Sequence, residues 1–195
     1  MRSEPLPLAK IQEAVLQFLR GRKDAVVFGA HAVNAYVDEP RMTQDIDILS
    51  NRPEALAEEL RKHLSTLFHI AVRVRIAGGA KGFRLYQVRK SGSRHLVDIR
   101  LVDPLPHSKR IANVQVLAPA ELIAAKVVSY YSRRGKPKSG TDWRDIAMLL
   151  LKFPELKRSS GPVTEMLEKS GSGVSVLKAW QKFVGTDFTD EDENF

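Results

Sequence analysis

The chain has 195 residues, 43% hydrophobic and 28% charged, which is typical of one globular domain or one domain with a small appendage and excludes a mostly disordered chain. It contains no cysteine, which excludes disulfide bridges, thiolate zinc sites and cysteine nucleophiles. No apolar run reaches the roughly 18–20 residues needed to cross a bilayer, and residues 1–7 lack a signal-peptide core. We therefore expect a cytoplasmic protein without a membrane partner.

Positive charge is concentrated in one part of the chain. The formal net charge is +8, although five acids fall within residues 186–195, which predicts an acidic flexible tail. Ten lysines and arginines lie between Arg73 and Arg110, against the two acids Asp98 and Asp103. A body this basic favours an anionic partner such as nucleic acid or nucleotide phosphates.

Apolar periodicity divides the chain into an alternating part, a meander and a helical part. The alternating part is predicted to contain helices over 8–20, 30–37 and 53–67, and strands over 25–29 and 45–49. The meander is predicted to contain strands near 70–76, 83–88, 95–102 and 113–117. The helical part is predicted to contain helices near 119–134, 141–152, 162–169 and 174–184, with a flexible joint at Gly135–Gly140.

This order predicts an α/β (α+β) fold with a mixed β-sheet and flanking helices. We expect three segments: a sheet-containing core over 1–118, a C-terminal helical part over 119–185 packed on that core, and the acidic tail over 186–195.

Two carboxylates on one strand are the first candidate for chemistry. Asp45 and Asp47 are two residues apart, so their side chains leave the same face of the predicted strand while Ile46 and Ile48 face the core. Paired acids repel each other unless a cation lies between them, and Mg²⁺ is commonly held by one or two carboxylates plus substrate phosphates. The alternative is a surface strand whose outer face is simply acidic.

A third acid is predicted to join this pair. Asp98 lies in the strand near 95–102, on the same face as Leu96 and Arg100. If that strand lies beside 45–49, three carboxylates converge on one edge of the sheet and can hold one or two metal ions for phosphoryl or nucleotidyl transfer.

These segments resemble the DNA polymerase β-type nucleotidyltransferase superfamily, and within it the AbiEii-like branch, the toxin partner of type IV toxin–antitoxin pairs. The resemblance covers roughly residues 25–150. It is carried, in family order, by a strand and turn at Gly29, the Arg-x-Thr-x-Asp-x-Asp motif at Arg41–Asp47, Pro119–Lys126, and the acidic helix start at Thr141–Asp145.

The resemblance implies roles for residues of this chain. The metal ligands would be Asp45, Asp47 and Asp98, holding Mg²⁺ or Mn²⁺, with Asp98 also helping to activate the attacking hydroxyl. Nucleotide binding would fall to the turn at Gly29 and Ala30, to Arg41 and Thr43 of the motif, to Lys126 as a phosphate contact, and to Asp142 and Asp145 as support from the next helix. Catalysis would depend on Asp45, Asp47, Asp98 and Lys126.

Three histidine and lysine positions and the turn need separate interpretation. Lys126 lies in an apolar helical stripe, where its ammonium must either reach solvent or meet an anion. His31, beside the turn, either contacts phosphate or packs at the helix start, and His95 is interpreted as a structural, core-facing residue. The turn reads Gly29-Ala30 where the family usually has Gly-Ser or Gly-Gly. A serine hydroxyl is therefore absent, and a catalytically inactive member of the family stays an alternative.

The sequence thus predicts a metal-dependent nucleotidyltransferase that moves a nucleoside monophosphate from an NTP to an acceptor hydroxyl and releases pyrophosphate. The basic stretch favours RNA, tRNA in particular, as acceptor; a protein hydroxyl and a small molecule are the enzymatic alternatives. The resemblance also implies a toxin with a cognate antitoxin partner. The alternatives from other classes are a catalytically inactive module that binds nucleotide or nucleic acid, and a pure interaction protein.

Overall fold

The structure is a computed structural model that describes residues 6–79 and 81–189. The chain divides into two compact units. The first consists of the chain up to His31 together with Arg41–Leu117, and the second of Ala32–Pro40 together with the chain from Ala118 onward. The segment Ala32–Pro40 belongs to the second unit, whereas the sequence assigned it to the core segment 1–118.

The described residues form seven strands and seven α-helices, an α/β architecture as predicted. The strands are β1 (Ala25–Phe28), β2 (Ile46–Ser50), β3 (Val72–Ala77), β4 (Gly82–Arg89), β5 (Gly92–Leu101), β6 (Ser108–Ile111) and β7 (Val114–Leu117). The helices are α1 (Leu8–Leu19), α2 (Gly29–Asn34), α3 (Pro53–Phe68), α4 (Pro119–Ser132), α5 (Lys138–Lys152), α6 (Pro162–Lys169) and α7 (Val174–Val184), with a 3₁₀ turn at Pro154–Leu156. Within these residues no helix is long and apolar enough to cross a membrane.

All seven strands form one mixed sheet in the first unit, in the order β3-β4-β5-β2-β1-β7-β6. β2 lies near the middle, antiparallel to β1 and parallel to β5. The parallel register pairs Asp47 with Asp98. Because paired residues of neighbouring strands project to the same face, this register brings the two predicted carboxylates side by side.

Apolar burial holds β2 and β5 in place. Ile46, Ile48 and Ile99 are fully buried, and Leu96 and Val97 are both buried although neighbours on a strand point to opposite faces. α3 packs on β3, β4 and β5 through a buried stripe at Leu56, Leu60 and Leu64. Burial of each such side chain contributes roughly 1.5–3 kcal/mol, so the strands that carry the acids form a rigid frame.

The second unit is a helical assembly organised around α4, which packs against α5, α6 and α7. Its core includes Leu122 and Ile123 of α4 and Trp180 of α7, all with 0% exposure. The indole nitrogen of Trp180 donates to the Thr164 hydroxyl at 3.1 Å, so the one polar atom of this buried ring is satisfied.

The structure differs from the sequence-based elements at three places. The edge strand β6 was not predicted. α2 ends at Asn34 rather than near 37. α5 begins at Lys138, so the end of the predicted joint Gly135–Gly140 is helical. Of the predicted acidic tail 186–195, residues 190–195 lie outside the described residues.

Candidate functional site

The turn after β1 is built against one of the predicted acids. Gly29 begins α2 with a backbone φ of +69°, which glycine adopts at little steric cost. A Cβ atom at this position would collide with the Oδ2 atom of Asp47 and would lie 2.9 Å from its Cγ atom. The following residue, Ala30, is buried at 8% exposure. Gly29 is therefore required both by its backbone conformation and by the space that the Asp47 carboxylate occupies.

Asp47 and Asp98 form a carboxylate pair at the junction of β2 and β5. Their Cα atoms are register partners, and their side chains are 22% and 10% exposed. Both side chains are therefore mostly buried, and Asp47 is the more accessible of the two. Two anions held this close need positive charge nearby.

Two arginines supply that charge. The Nη2 atom of Arg100 lies 3.7 Å from Oδ1 of Asp47 and 3.6 Å from Oδ2 of Asp98, between the two carboxylates. Arg84, the register partner of Asp98 on β4, brings its Nε atom to 3.5 Å from the same Oδ2 atom. The Arg100 guanidinium also lies 5.0 Å from the centre of the Phe28 ring. Both arginine side chains remain about half exposed, at 53% and 46%.

The third acid, Asp45, immediately precedes β2 and is held by His95. The distance from His95 Nδ1 to Asp45 Oδ2 is 3.1 Å, and His95 Nε2 lies 3.1 Å from the carbonyl oxygen of Val97. The hydrogen bond to Asp45 raises the pKa of His95, with burial opposing it. Both ring nitrogens face acceptors, an arrangement that suits the doubly protonated ring. His95 does not face the core as expected: its side chain is 28% exposed, its ring stacks on Tyr86, and its Nδ1 atom reaches Asp45, while its structural role stays a prediction.

A second histidine carries an unsatisfied atom in the same unit. The Nε2 atom of His31 is buried and has no hydrogen-bond partner among the described residues. Burial lowers the pKa of His31, while the nearby Asp45 carboxylate acts in the opposite direction. A buried polar atom without a partner is uncommon in proteins and is a reasonable place for a ligand group to bind.

The motif residues before Asp45 shape the loop that leads to it. The Thr43 hydroxyl donates to the backbone carbonyl of Asp45 at 3.3 Å, and the Gln12 side-chain amide donates to the carbonyl of Thr43 at 2.9 Å. Arg41 donates to the carbonyl of Met42 at 3.3 Å. These contacts restrict the loop, so Thr43 orients Asp45 in addition to any contact with nucleotide.

The remaining predicted residues form a separate ion cluster in the second unit. Lys126 Nζ lies 2.6 Å from Asp145 Oδ2 and 3.5 Å from Asp142 Oδ1, and Arg133 Nη1 lies 2.9 Å from Asp142 Oδ2. The lysine side chain is 9% exposed and the two carboxylates are 0% and 3% exposed. The ammonium thus meets anions of its own chain, one of the two alternatives that its apolar stripe left open. Its predicted contact with phosphate stays a prediction.

The donor set of the first unit suits a hard divalent cation. Asp45, Asp47 and Asp98 offer carboxylate oxygens, the ligands that Mg²⁺ prefers. Within residues 6–79 and 81–189, however, no group of three or more Asp, Glu, His or Cys side chains is arranged to hold a metal ion. The Arg100 guanidinium lies 3.6–3.7 Å from both Asp47 and Asp98, so a cation held by these two carboxylates would compete with this arginine.

Sequence reasoning missed Arg84 and gave Arg100 no role. The shared face of Asp98 and Arg100 was visible from strand alternation. The position of Arg84 depends on the β4–β5 register, which shifts at a bulge between Leu85 and Tyr86. No local sequence signal reports that register.

Comparison with known proteins gives a family and a fold. The family described as "Nucleotidyl transferase AbiEii toxin, Type IV TA system" matches residues 14–170. No curated protein sequence matches the chain.

Several solved structures share the fold at low sequence identity. The Megavirus polyadenylate synthase aligns with a TM-score of 0.61 and 16% identity over 75% of this chain, which spans only 32% of that protein. A putative nucleotidyltransferase from H. pylori aligns with a TM-score of 0.58 and 10% identity, over 95% of this chain and 93% of that protein's chain. JHP933 from Helicobacter pylori aligns with a TM-score of 0.56 and 11% identity over 95% and 90%.

Proposed function

This chain belongs to the AbiEii family of nucleotidyltransferases, and from that premise we propose that it transfers a nucleoside monophosphate from an NTP to the hydroxyl of an RNA acceptor. In this reaction the acceptor oxygen forms a bond to the α-phosphorus, the bond from that phosphorus to the bridging oxygen breaks, and pyrophosphate leaves. The observation that carries the proposal is the Asp47–Asp98 pair, held in register on β2 and β5 with the Gly29 turn against it.

Asp45, Asp47 and Asp98 are the residues that would hold Mg²⁺ or Mn²⁺. When bound, the metal neutralises charge on the triphosphate and orients the reacting groups. Asp98 has the lowest exposure of the three side chains, and we assign its carboxylate to receive the proton of the acceptor hydroxyl. His95 holds Asp45 by its 3.1 Å contact, so this ligand stays oriented without the metal.

The remaining groups of the first unit would bind the nucleotide. The turn at Gly29, packed against Asp47, would direct backbone N–H groups to the phosphates, and His31 offers a buried nitrogen that has no partner among the described residues. Arg84 and Arg100 are half exposed and stand beside the carboxylates, where they can pair with phosphate oxygens once released from the acids. Arg41 and Thr43 complete the nucleotide-binding set, together with Ala30 of the turn.

An RNA acceptor, with tRNA as the first candidate, is favoured by the ten basic residues between Arg73 and Arg110. A toxin role with a cognate antitoxin follows from the family description and is part of the proposal. A catalytically inactive binding module is the second candidate function, since an alanine follows Gly29 in the turn.

A transfer assay tests this function. The protein is incubated with each α-labelled NTP, Mg²⁺ and total cellular RNA or protein, in parallel with Asp45→Asn/Asp47→Asn. Asp103→Asn, the same change at an exposed position of the same unit, is the matched control. We expect label in an RNA band with wild type and the control, and none with the double variant. Label in a protein band instead would identify a protein, and not RNA, as the acceptor.

If no NTP gives label, nucleotide binding is measured with and without Mg²⁺. Mg²⁺-dependent binding that Asp47→Asn abolishes would support an enzyme tested on the wrong acceptor pool. Binding that is indifferent to metal would refute the enzymatic proposal in favour of the inactive module. Growth arrest on expression of wild type, but not of the double variant, tests the toxin role.

A further inference from the structure

A cavity in the second unit combines aromatic rings with positive charge. Its volume is about 330 Å³, and α4, α5, α7 and the residues that follow α4 and α7 line it. The groups that matter here are three aromatic and three basic side chains: Tyr130, Tyr131, Trp143, Arg134, Lys178 and Lys182. Among the described residues that line it, none is acidic. The nucleotidyltransferase site proposed above uses none of these side chains.

The aromatic groups form a platform for a flat ligand. Trp143 is 43% exposed although it is one of the largest apolar side chains. The Arg134 guanidinium lies 3.4 Å from the centre of the Tyr131 ring, stacked on one face of it, and itself presents a planar, cationic surface. Tyr130 packs edge-to-face on Phe183, with the two ring centres 5.1 Å apart. Exposed rings beside arginine planes are the surfaces on which unpaired nucleobases stack.

The charges select an anionic ligand. Lys178 and Lys182 are both exposed and lie one helical turn apart on α7, so their ammonium groups share one face. Together with Arg134 they repel cationic ligands and attract phosphates. The volume is at the lower end of the roughly 300–1,000 Å³ typical of small-ligand pockets, which suits one base with its sugar. The hydroxyls of Ser175 and Thr186 also line the cavity; the Thr186 hydroxyl donates to the carbonyl of Lys182 at 2.7 Å and can accept a hydrogen bond from a ribose 2′-hydroxyl.

We propose that this cavity binds one unpaired nucleotide of a single-stranded RNA. The base stacks on Trp143 and on the guanidinium plane of Arg134, and the flanking phosphates contact Lys178 and Lys182. The claim that this RNA is the acceptor rests on the proposed function. The claim that RNA binds in the cavity does not. The binding test therefore uses the full chain without NTP and in the presence of EDTA, so that a failure of transfer chemistry leaves its result unaffected.

Tryptophan fluorescence reports directly on the cavity. The chain has two tryptophans, and Trp180 is fully buried with its nitrogen bonded to Thr164. A ten-nucleotide single-stranded RNA is expected to quench the Trp143 emission. In Trp143→Phe only Trp180 emits, and the same RNA should leave that emission unchanged. Absence of quenching in wild type at saturating RNA, or equal quenching in Trp143→Phe, overturns the proposal.

Affinity of the labelled RNA, measured by fluorescence anisotropy, separates stacking from charge. Trp143→Leu should weaken binding about 5- to 150-fold, while Trp143→Phe, which keeps an aromatic face, should retain most of it. Lys178→Ala/Lys182→Ala should reduce the slope of log affinity against log salt by about 1.4, the value for two lost phosphate contacts to a single strand. Arg158→Ala/Lys169→Ala removes the same charge from exposed positions outside the cavity lining and should change neither quantity.

Two comparisons can overturn the identity of the ligand. Equal affinity for single-stranded DNA of the same sequence would refute recognition of the ribose, and equal affinity for a poly-glutamate peptide would assign the cavity to an acidic protein segment. An unchanged affinity in both Trp143→Leu and the double-lysine variant would refute the site itself. Tighter binding of RNA than of DNA or peptide, lost in these variants, supports the proposal.

Discussion

Replacing Lys126 with methionine tests whether the buried ion cluster of the second unit stabilises the fold. The lysine lies 2.6 Å from Asp145 and 3.5 Å from Asp142, with little exposure on any of the three side chains. At an effective dielectric constant near 20, the shorter pair alone has an attraction of about 6 kcal/mol. Desolvation offsets part of this, and removing one partner of a buried pair typically costs about 3–5 kcal/mol, because a buried charge loses its partner.

We expect Lys126→Met to lower the free energy of unfolding by about 3–5 kcal/mol, and its melting temperature by roughly 6–20 °C. Urea unfolding and thermal melting followed by far-UV circular dichroism measure both. Lys152→Met is the matched control, because Lys152 also pairs with an aspartate, Asp38 at 2.8 Å, but its side chain is 43% exposed and its partner's 86%. This exposed pair should contribute no more than about 1 kcal/mol.

A double variant separates the ion pair from other effects of the substitution. Lys126→Met/Asp145→Leu removes both charges, while Arg133 still pairs with Asp142, so the double variant should be more stable than Lys126→Met. If Lys126→Met is as stable as Lys152→Met and instead weakens NTP binding, the stabilising role is refuted. The predicted phosphate contact would then be the better account of this lysine.

Three further predictions concern the first unit. Gly29→Ala should abolish transfer and lower stability by more than Gly78→Ala, measured by the transfer assay and urea unfolding; both positions have positive φ, but only the first would collide with Asp47. Equal effects of the two changes would refute the collision. Arg100→Ala should raise nucleotide-free Mn²⁺ affinity about 3- to 10-fold in calorimetry, since a competing cation is gone; unchanged affinity would contradict this. Asp24 has a pKa of about 2, below its ordinary 3.8: burial acts to raise it, but hydrogen bonds from arginines outweigh that effect. It therefore stabilises the fold above about pH 4, by about 1–2 kcal/mol after allowance for solvent screening, and this contribution disappears as the pH falls through 2. Asp24→Asn should remove this acid dependence from urea unfolding curves collected between pH 5 and 2, and an unchanged pH profile would contradict the assignment.

The sequence predicted the elements whose periodicity is strong. The helices beginning at Pro53, Pro119 and Pro162 start where the proline predicted, because proline suits the first turn of a helix. β6 was missed because Ser108–Ile111 is a short edge strand with two exposed basic residues, and its pattern does not differ from that of a loop. α5 was predicted to start too late because Gly140 suggested a break, although tertiary packing tolerates it within the helix.

For the candidate site, the sequence was informative within single strands and uninformative between them. Alternation on one strand predicted that Asp45 and Asp47 share a face, and the β2–β5 register then brings Asp47 beside Asp98. The contact of His95 with Asp45 could not be predicted in this way, because it depends on how a side chain from β5 reaches the residue before β2. Cross-strand partners follow from the fold and not from local spacing.

The two carboxylate clusters differ in how their charge is balanced, and this difference supports the proposal that Asp47 and Asp98 belong to the reactive site. At Asp47 and Asp98 the compensating arginines are about half exposed and lie 3.5–3.7 Å from the acids, so a divalent cation can replace them, or a phosphate can draw them away from the acids, at modest cost. Arg133, 43% exposed, pairs with Asp142, but the lysine between Asp142 and Asp145 is 9% exposed and 2.6 Å from Asp145, so its removal takes the nearest counterion from a carboxylate that water cannot reach. Exchangeable counterions suit a site that must bind and release metal and triphosphate in each cycle, whereas a closed ion cluster suits a permanent part of the helical core.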